Sequence, residues 1–399
     1  MSAHLKMETI MFLNKVIIKN LWGSSSIELN LKNRVTILTG INGSGKSSIL
    51  NIIYDSLAPN SIGFTSTSKN RMWTSQLECD KNINIQSIVL SQLPESKQES
   101  VHALIKRYLN GNDGLSLLSD SFSDELFQIY SENQYKNHVV FAHNPSHGAY
   151  GKISGYNIPK NFSEEEREVI FQELTKKPAA FLYQEDRRLL HDISKSNIDP
   201  SSPFWKSYSS SIDQRFFYIR DAMHIQESII DSERSKVMDS LSEKGGKINL
   251  SSLLRDKKYL DLMRKKNEIT KVYETLNEYF QDSGKEIVKD PDDHKITLKR
   301  IGSEGSMSWH LLSRGEKTLI YMFFMVFLYK EKVKIFLLDE PEISLHVKWQ
   351  EHLIKDLTTL APNTQFIITT HSPNLVMNGW MNNCLTVNCF NGAKNDSNN

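Results

Sequence analysis

The chain reads Gly40-Ile41-Asn42-Gly43-Ser44-Gly45-Lys46-Ser47 at residues 40–47, which is the spacing G-x-x-x-x-G-K-S. Glycines at these positions allow the backbone to curl so that successive N–H groups face one point, and a helix that starts there adds partial positive charge. The pattern is typical of a loop that holds nucleotide phosphates, with the Lys46 cation on the β- and γ-phosphates and the Ser47 hydroxyl on Mg²⁺. It predicts that ATP contacts the following residues: Asn42, Gly43, Ser44, Gly45, Lys46, Ser47 and Ser48.

The segments on either side of the loop support this interpretation. A β-branched run at Val35–Thr39 predicts a strand buried on both faces, and Ser47–Leu57 has the spacing of a helix. Earlier in the chain, Phe12–Leu21 and Ile27–Leu31 alternate as half-buried strands do. The alternative is a glycine-rich turn with a chance Lys-Ser pair, but a strand before the loop and a helix after it favour the phosphate site.

Composition bounds the kind of protein. In 399 residues, 48 Lys and Arg balance 47 Asp and Glu, which excludes a uniformly basic nucleic-acid coat. Three cysteines are too few for a disulfide framework or a four-cysteine zinc site, as expected in a reducing compartment. The most apolar run, Leu319–Tyr329, is about half as long as a membrane-spanning helix and predicts a buried core helix. Since the N-terminus has no signal-peptide pattern, we expect a cytoplasmic protein with no membrane partner.

The middle of the chain is less regular. Strands are predicted at 76–79, 83–90, 137–142 and 179–183, a helix at 99–109, and a loop at 142–157, where Gly, His and Tyr are frequent. Residues 204–280 are predicted to be helical, with a break at Gly245-Gly246 and no heptad pattern long enough for an extended coiled coil. A hairpin is predicted at 286–301, followed by helix 316–330, strand 334–338, helix 345–360, strand 365–369, helix or loop 373–379 and strand 384–390.

A second candidate segment is the apolar run at 335–338, which ends in Asp339-Glu340-Pro341. A carboxylate at the carboxyl end of a strand can hold Mg²⁺ through water, which suits Asp339. Glu340 can orient and deprotonate a water that attacks the γ-phosphate. The alternative is a surface Asp-Glu pair after a core strand, but a phosphate loop in the same chain favours the catalytic interpretation.

Two further segments carry candidate phosphate contacts. The sequence LSRGE at 312–316 opens a predicted helix, where Ser313 and the N–H of Gly315 would form an anion site. Ser313 and Glu316 also have the spacing of a capping box, which does not exclude a phosphate contact. His371, in TTHSP at 369–373, follows an apolar strand and is either structural or hydrogen-bonded to a γ-phosphate.

In their order along the chain, GINGSGKS, LSRGE, IFLLDEP, EISLH and TTHSP resemble the motifs of ATP-binding-cassette (ABC) ATPases of the soluble RecF and SMC group. The sequences DEPEISLH and QFIITTHSPNL are similar to the compact branch that includes the ATPase part of OLD-family proteins. The resemblance covers about residues 10–60 and 300–390 well, and the middle only in layout. It implies an α/β ABC-type ATPase head, in which a phosphate-loop sheet with a RecA-like core and an antiparallel β-lobe carries an inserted α-helical lobe.

On this basis the chain divides into four predicted parts. Residues 1–203 would form the N-terminal half of the ATPase core, with the phosphate loop and the β-lobe, and residues 204–285 a helical insertion. Residues 286–390 would form the C-terminal half of the core, and residues 391–399 a disordered tail.

The resemblance also implies a head-to-tail dimer, in which ATP lies between the phosphate loop of one copy and the LSRGE segment of the other. Four residues would then act in trans: Ser313, Arg314, Gly315 and Glu316. Arg314 departs from the small residue more common at its position, which leaves open either a charge contact with the partner's nucleotide or a solvated side chain. Ser344 falls in the D-loop, and His371 is the switch histidine.

The family's Q-loop glutamine follows a strand, and Gln184 in LYQEDRR is our candidate, with Gln86 and Gln92 as competitors. The predicted Mg²⁺ site therefore consists of Ser47, Asp339 and Gln184.

Other features separate the possible kinds of ATPase. The distance from Ser47 to Ser313 is large for a transporter subunit, and no membrane segment accompanies the motifs. SMC-type proteins insert long coiled coils with a hinge or Cys hook, and neither pattern occurs here. A RecF-like DNA-repair ATPase remains a serious alternative.

A nuclease site within the chain is not expected. OLD nucleases carry a Toprim domain after the ATPase, whereas this sequence ends soon after the predicted strand at Cys389-Phe390. A metal or HNH-like site is conceivable at His138, His143 and His147 with Asn144, but the segment lacks a paired carboxylate, so a polar loop is the preferred interpretation.

A lone head of this branch resembles the ATPases of bacterial antiphage systems such as Septu, PARIS and certain retrons. The resemblance implies an oligomeric scaffold that senses infection and controls a separate effector, often a nuclease. The partners expected are a second copy of the chain, that effector, and DNA or a phage component. A RecF-like repair ATPase and a nucleotide-gated scaffold with negligible turnover are the alternatives.

Overall fold

The computed structural model describes residues 12–21, 25–31, 34–58, 65–70, 73–89, 98–110, 121, 125, 152–159, 161–176, 178–184, 211–241 and 253–387. The strands among them are β1 (Leu13–Leu21), β2 (Ser25–Asn30), β3 (Val35–Thr39), β4 (Trp73–Cys79), β5 (Asn84–Val89), β6 (Lys152–Asn157), β7 (Ala180–Gln184), β8 (Lys285–Lys289), β9 (Ile296–Arg300), β10 (Ile335–Asp339), β11 (Gln365–Thr369) and β12 (Cys384–Thr386). The helices are α1 (Lys46–Leu57), α2 (Ser66–Asn70), α3 (Gln98–Asn110), α4 (Glu164–Lys176), α5 (Ser211–Ser240), α6 (Lys257–Gln281), α7 (Arg314–Tyr329), α8 (Val347–Leu360) and α9 (Pro373–Met377).

A parallel sheet with the order β12-β3-β11-β10-β7 carries the candidate site. Its inner strands are short apolar runs, with β11 buried at every position, as expected for strands covered on both faces. The register pairs Asp339 with Thr369 on one side and with Gln184 on the other. Because the strands are parallel, their carboxyl ends meet at one edge, and the phosphate loop leaves the same edge after β3.

A second sheet is antiparallel, with the order β2-β1-β4-β5-β6. Helix α1 contacts β4 and β5 of this sheet as well as β7, β10 and β11 of the parallel sheet. Its apolar side chains are fully buried between them, including Ile49, Leu50, Ile52 and Ile53. Burial of each such side chain contributes roughly 1.5–3 kcal/mol, so the helix that begins at the phosphate loop is fixed from two sides.

Lys152 of β6 caps the carboxyl end of α1. Its Nζ donates hydrogen bonds to the carbonyl oxygens of Asp55 and Ala58, and the residue is buried. Burial lowers the pKa of the Lys152 ammonium to about 8, although the nearby Asp55 carboxylate opposes that shift. The last carbonyls of a helix have no partner within the helix, so this cation satisfies groups that would otherwise be orphaned.

The chain forms two compact units. The first contains the described residues within 1–184, 331–341 and 363–399, and therefore both five-stranded sheets. The second contains those within 185–330 and 342–362.

The second unit, called the helical unit below, is built around α7. This helix is buried from Gly315 to Phe327. Helices α5, α6 and α8 pack against it, and the β8–β9 hairpin contacts α6. Two buried cations lie in this unit: Lys317 Nζ is 2.7 Å from Asp213 Oδ1, and Arg220 Nη1 is 2.9 Å from Asp293 Oδ2. Pairing of this kind is what makes burial of a charge tolerable.

The predicted α/β class with a parallel phosphate-loop sheet and an antiparallel sheet is confirmed. The prediction of a loop over 142–157 is wrong at its end, because Lys152–Asn157 form β6, paired with β5. Pairing along a neighbouring strand outweighs the weak strand preference of a segment that contains Gly155. Residues 142–151 lie outside the described ranges, as do the strand predicted at 137–142, the break at Gly245-Gly246 and the tail at 391–399.

The compact units divide the chain differently from the predicted halves. The hairpin and α7, expected in the C-terminal half of the core, cluster with the helical residues, and so does α8. In the described part of the chain, no helix combines the length and apolar character that crossing a membrane would require.

Candidate nucleotide-binding site

The phosphate loop has the backbone that its glycines were expected to allow. Gly40 has φ 141° and Gly45 has φ 93°, and Gly45 is the residue immediately before α1. A Cβ on Gly40 would lie only 2.6 Å from the carbonyl oxygen of Val387. Glycine is therefore required at Gly40 for space and at Gly45 for its left-handed conformation, and together they direct the loop into the N-terminus of α1.

Lys46 is held against the loop itself. Its Nζ donates hydrogen bonds to the carbonyl oxygens of Gly40 and Ile41, each at 3.1 Å, and the side chain is buried. An ammonium group has three N–H donors and no acceptor, so this arrangement keeps a directed positive charge inside the curl of the loop.

Asp339 receives hydrogen bonds from three different segments. Its Oδ1 accepts from Ser47 Oγ at 2.9 Å and from Thr369 Oγ1 at 2.6 Å, and its Oδ2 accepts from Gln184 Nε2 at 3.1 Å. The structure thus brings the three residues of the predicted Mg²⁺ site together. Hydroxyl and carboxylate oxygens are the ligands that Mg²⁺ prefers, so the donor set fits that ion.

The competing glutamines are not part of this cluster. Gln86 lies on β5, where its Nε2 donates to Gln76 Oε1 at 3.1 Å, and Gln92 lies outside the described residues. His138, His143, His147 and Asn144 also lie outside them. Within the described ranges, no three His, Cys, Asp or Glu side chains cluster in a way that would hold a metal ion.

Glu340 occupies an unusual backbone conformation next to Asp339. Its φ is 48°, in the left-handed region that non-glycine residues seldom adopt, and its N–H donates to both the carbonyl oxygen and Oγ1 of Thr369, each at 3.1 Å. Such a conformation costs on the order of 1–3 kcal/mol and persists only where neighbouring groups hold it. Its Oε1 lies 3.5 Å from His371 Nε2, and both side chains are partly exposed. The predicted base and the predicted switch histidine are therefore neighbours.

The LSRGE segment at 312–316, here called the signature segment, forms the N-terminus of α7 in the helical unit. Ser313 is the N-cap: its Oγ accepts from the Glu316 N–H at 3.2 Å, while its own N–H donates to Glu316 Oε2 at 2.7 Å. This is the capping box that the spacing suggested. Glu316 is buried and is paired with Lys285 Nζ at 2.5 Å, so its carboxylate has structural partners on both sides. Arg314 is the first residue of the helix and is half-buried.

Gly315 has a packing reason to be glycine. A Cβ at this position would lie 2.4 Å from the carbonyl oxygen of Ser344 and 3.7 Å from the Trp349 ring. Ser344 itself has φ 70°, which turns the D-loop segment toward α7. The backbones of Gly315 and Ser344 are therefore in direct contact.

Sequence reasoning missed the role of Thr369, which contacts both Asp339 and Glu340. The available signal was its place in the chain: a polar residue at the end of an otherwise apolar strand, in the sequence QFIIT. Most buried hydroxyls are hydrogen-bonded, and the partner of this one is the neighbouring Asp339.

Comparison with known proteins places these features in a family. A model of the AAA ATPase domain matches residues 11–376. A retron Vc95 probable ATPase from Vibrio cholerae is 27% identical over 365 residues, and a retron Ec83 probable ATPase from Escherichia coli is 23% identical over 384 residues. These alignments cover 85% and 87% of this chain, and the chain spans 66% of the length of each relative. The predicted relationship to ATPases that include retron-associated members is confirmed.

Two solved structures are similar over most of their length. A Pyrococcus furiosus Smc head domain bound to part of ScpA is 14% identical, with a TM-score of 0.43 and coverage of 96% of this chain and 95% of its own. The recombination mediator protein RecF is also 14% identical, with a TM-score of 0.35 and coverage of 92% and 94%.

The contact between Gly315 and Ser344 generates a stability prediction. Alanine is the better helix former, so propensity alone predicts that Gly315→Ala stabilises α7 by up to about 1 kcal/mol. The clash with the Ser344 carbonyl predicts the opposite sign, a loss of roughly 1–3 kcal/mol. We expect the loss, measured as a lower midpoint of urea unfolding.

Gly305→Ala is the matched control, since a Cβ there meets nothing within 4 Å. An unfolding midpoint for Gly315→Ala at or above that of the Gly305→Ala variant would show that the contact is not a constraint.

Proposed function

This chain belongs to the family of AAA ATPase domains, and we propose that it binds ATP at its phosphate loop and hydrolyses it. The observation that carries the proposal is the Asp339 cluster. The hydroxyl of the phosphate-loop serine, Ser47, lies 2.9 Å from Asp339, and the next residue, Glu340, is a partly exposed carboxylate beside His371. Metal-binding groups and a candidate base therefore adjoin the phosphate loop, as hydrolysis of a nucleotide requires.

Binding is assigned to the loop and the start of α1. The loop N–H groups and the helix N-terminus hold the phosphates, and Lys46 exchanges its loop carbonyls for phosphate oxygens. Ser47 and Asp339 would hold Mg²⁺, with Gln184 fixing the second oxygen of Asp339. When bound, the ion supplies positive charge that offsets the charge on the β- and γ-phosphates.

Hydrolysis is assigned to Glu340 and His371. The Glu340 carboxylate accepts a proton from the attacking water and orients it, and its turn is held by Thr369. His371 Nε2 lies 3.5 Å from Glu340 Oε1, close enough to limit the orientation of that carboxylate. An imidazole N–H is also a donor that would stabilise charge on the γ-phosphate.

The assignment predicts opposite phenotypes for two substitutions. Lys46→Ala removes the cation that meets the phosphates, so ATP affinity falls by at least about tenfold in a fluorescent-nucleotide titration. Glu340→Gln keeps the shape and removes the base, so ATP still binds while kcat falls about 100-fold or more.

Unchanged binding in the Lys46→Ala variant contradicts the phosphate-loop assignment. Wild-type turnover in the Glu340→Gln variant contradicts Glu340 as base, and absence of turnover in the wild type identifies a nucleotide-gated scaffold instead.

We also propose that the active form is a head-to-tail dimer, with the signature segment acting in trans. The exposed Ser313 at the N-terminus of α7 supports this, since its hydroxyl hydrogen can still donate to a phosphate while its oxygen caps the helix. The close approach of Gly315 to the Ser344 carbonyl fixes the position of that helix end.

Action in trans predicts complementation between two inactive variants. In a mixed dimer of Lys46→Ala and Ser313→Arg, one composite site combines an intact phosphate loop with an intact signature segment. A one-to-one mixture should recover up to about a quarter of the wild-type rate, since half of the dimers are mixed and each has one active site of two. Each variant alone is the control. No recovery, despite mixed dimers shown by tagged pull-down, argues against the trans arrangement.

The biological role we propose is that of a sensor and regulatory scaffold in antiphage defence, which controls a separate effector. Two observations support it: the two relatives described above are each named as a retron probable ATPase, and the carboxylate pair Asp339-Glu340 is already assigned to ATP.

This role predicts that the purified chain with ATP and Mg²⁺ does not cut DNA or RNA, because nuclease chemistry needs its own metal-binding carboxylates or histidines. The assay uses labelled single- and double-stranded substrates, with the Lys46→Ala variant in parallel to separate ATP-dependent effects. Cleavage that co-purifies with the chain, and disappears on a point mutation outside the ATP motifs, would overturn the proposal.

A further inference from the structure

The side chain of Thr369 connects the two acidic residues of the candidate site. Its Oγ1 donates to Asp339 Oδ1 at 2.6 Å, and the Glu340 N–H donates to the same Oγ1 at 3.1 Å. Thr369 is fully buried at the end of β11 and its two partners are half-buried, so these bonds are partly shielded from bulk water. Hydrogen bonds to an ionised acceptor in such a place are short and comparatively strong.

The direction of the two bonds is fixed by chemistry. A backbone N–H can only donate, so the Thr369 oxygen is the acceptor for Glu340. The single hydroxyl hydrogen of Thr369 is then left for Asp339, whose carboxylate can only accept when ionised. The result is a one-way chain from the Glu340 amide through the hydroxyl to Asp339 Oδ1, the same oxygen that accepts from Ser47.

Packing alone does not explain a threonine at this position. The residues before it in β11, Phe366, Ile367 and Ile368, are apolar and buried, and valine would fill the place of Thr369 with nearly the same shape. A buried hydroxyl costs free energy unless it is hydrogen-bonded, and both hydrogen bonds of this hydroxyl go to residues of the site. The left-handed turn at Glu340, with φ 48°, is the conformation that the hydroxyl and the Thr369 carbonyl together hold.

We propose that Thr369 is a positioning residue that couples the metal-binding carboxylate to the base. It orients Asp339 so that its oxygens face the phosphate loop, and it fixes the turn from which the Glu340 side chain projects. The proposal rests on the proposed ATPase function and deepens it, since it states that the two carboxylates are set by one shared hydroxyl. Residues that orient metal ligands in this way change metal affinity or activity by roughly 10–100-fold when they are altered.

The test compares three variants. Thr369→Val removes the hydroxyl and keeps the shape, and Thr369→Ser keeps the hydroxyl. Thr74→Val is the matched control: Thr74 is fully buried in the same unit, and its Oγ1 makes no hydrogen bond within the described part of the chain. Thermal unfolding of each variant establishes that it is folded before the functional measurements.

Two readouts separate positioning from binding and from folding. The first is ATP affinity by calorimetry, in EDTA and across a Mg²⁺ titration, and the second is kcat at saturating ATP. For Thr369→Val we expect ATP affinity in EDTA within about threefold of wild type, a Mg²⁺ requirement raised roughly tenfold, and kcat lowered roughly tenfold or more. Thr369→Ser and Thr74→Val should stay within about threefold of wild type in ATP affinity, Mg²⁺ requirement and kcat.

A Thr369→Val variant with wild-type Mg²⁺ dependence and wild-type kcat overturns the inference, and so does an equal loss in Thr74→Val. If the wild type binds ATP with Mg²⁺ but shows no turnover, hydrolysis fails as the proposed function, while the Mg²⁺ titration still tests the Asp339 half of the coupling. If Mg²⁺ does not change ATP affinity in the wild type, Asp339 is not a metal ligand and the inference fails with it.

Discussion

The carboxylate of Asp339 is the point on which the arrangement of the site depends. It stands at the carboxyl end of a central parallel strand and accepts hydrogen bonds from the phosphate loop, from β11 and from β7. An ionised carboxylate can accept several hydrogen bonds, so one side chain orders three segments that are distant in sequence. The register that pairs Asp339 with Thr369 and Gln184 makes this possible, because a shift of one residue would turn these side chains to the opposite faces of the sheet.

Around that point, apolar packing provides rigidity. Helix α1 is buried between the two five-stranded sheets, so the end of the phosphate loop that runs into it is anchored to a close-packed core. The far end of α1 is satisfied by Lys152 of β6, a cation drawn from the second sheet. The helix is thus held along its length by burial and at its carboxyl end by a buried ammonium group, while glycines with positive φ connect its N-terminus to the phosphate loop.

The residues that could be predicted from the sequence are those that belong to short motifs with a fixed spacing. Lys46, Asp339 and Glu340 could be found because a phosphate loop and a strand that ends in two carboxylates are short, contiguous patterns. Thr369 and Lys152 could not be assigned, because their importance comes from strand register and from contacts over long sequence separations, which no short window contains. For the same reason β6 was missed: its strand character comes from pairing with β5 and not from its own residues. Gln184 was predictable only in part. The motifs predict that a glutamine contacts the site, but only the sheet order, which pairs Gln184 with Asp339, distinguishes it from the other glutamines.

The backbone contact between Gly315 and Ser344 has an evolutionary consequence. A larger residue at position 315 is compatible with the fold only if the path of the chain at position 344 changes as well, because the obstacle is a carbonyl oxygen and not a side chain that can rotate away. Substitutions that relieve such a clash must alter backbone geometry, for example by a deletion or by a residue that abandons the left-handed turn. The two positions are therefore expected to covary among relatives, with lineages that replace the glycine also differing in the length or conformation of the segment around Ser344.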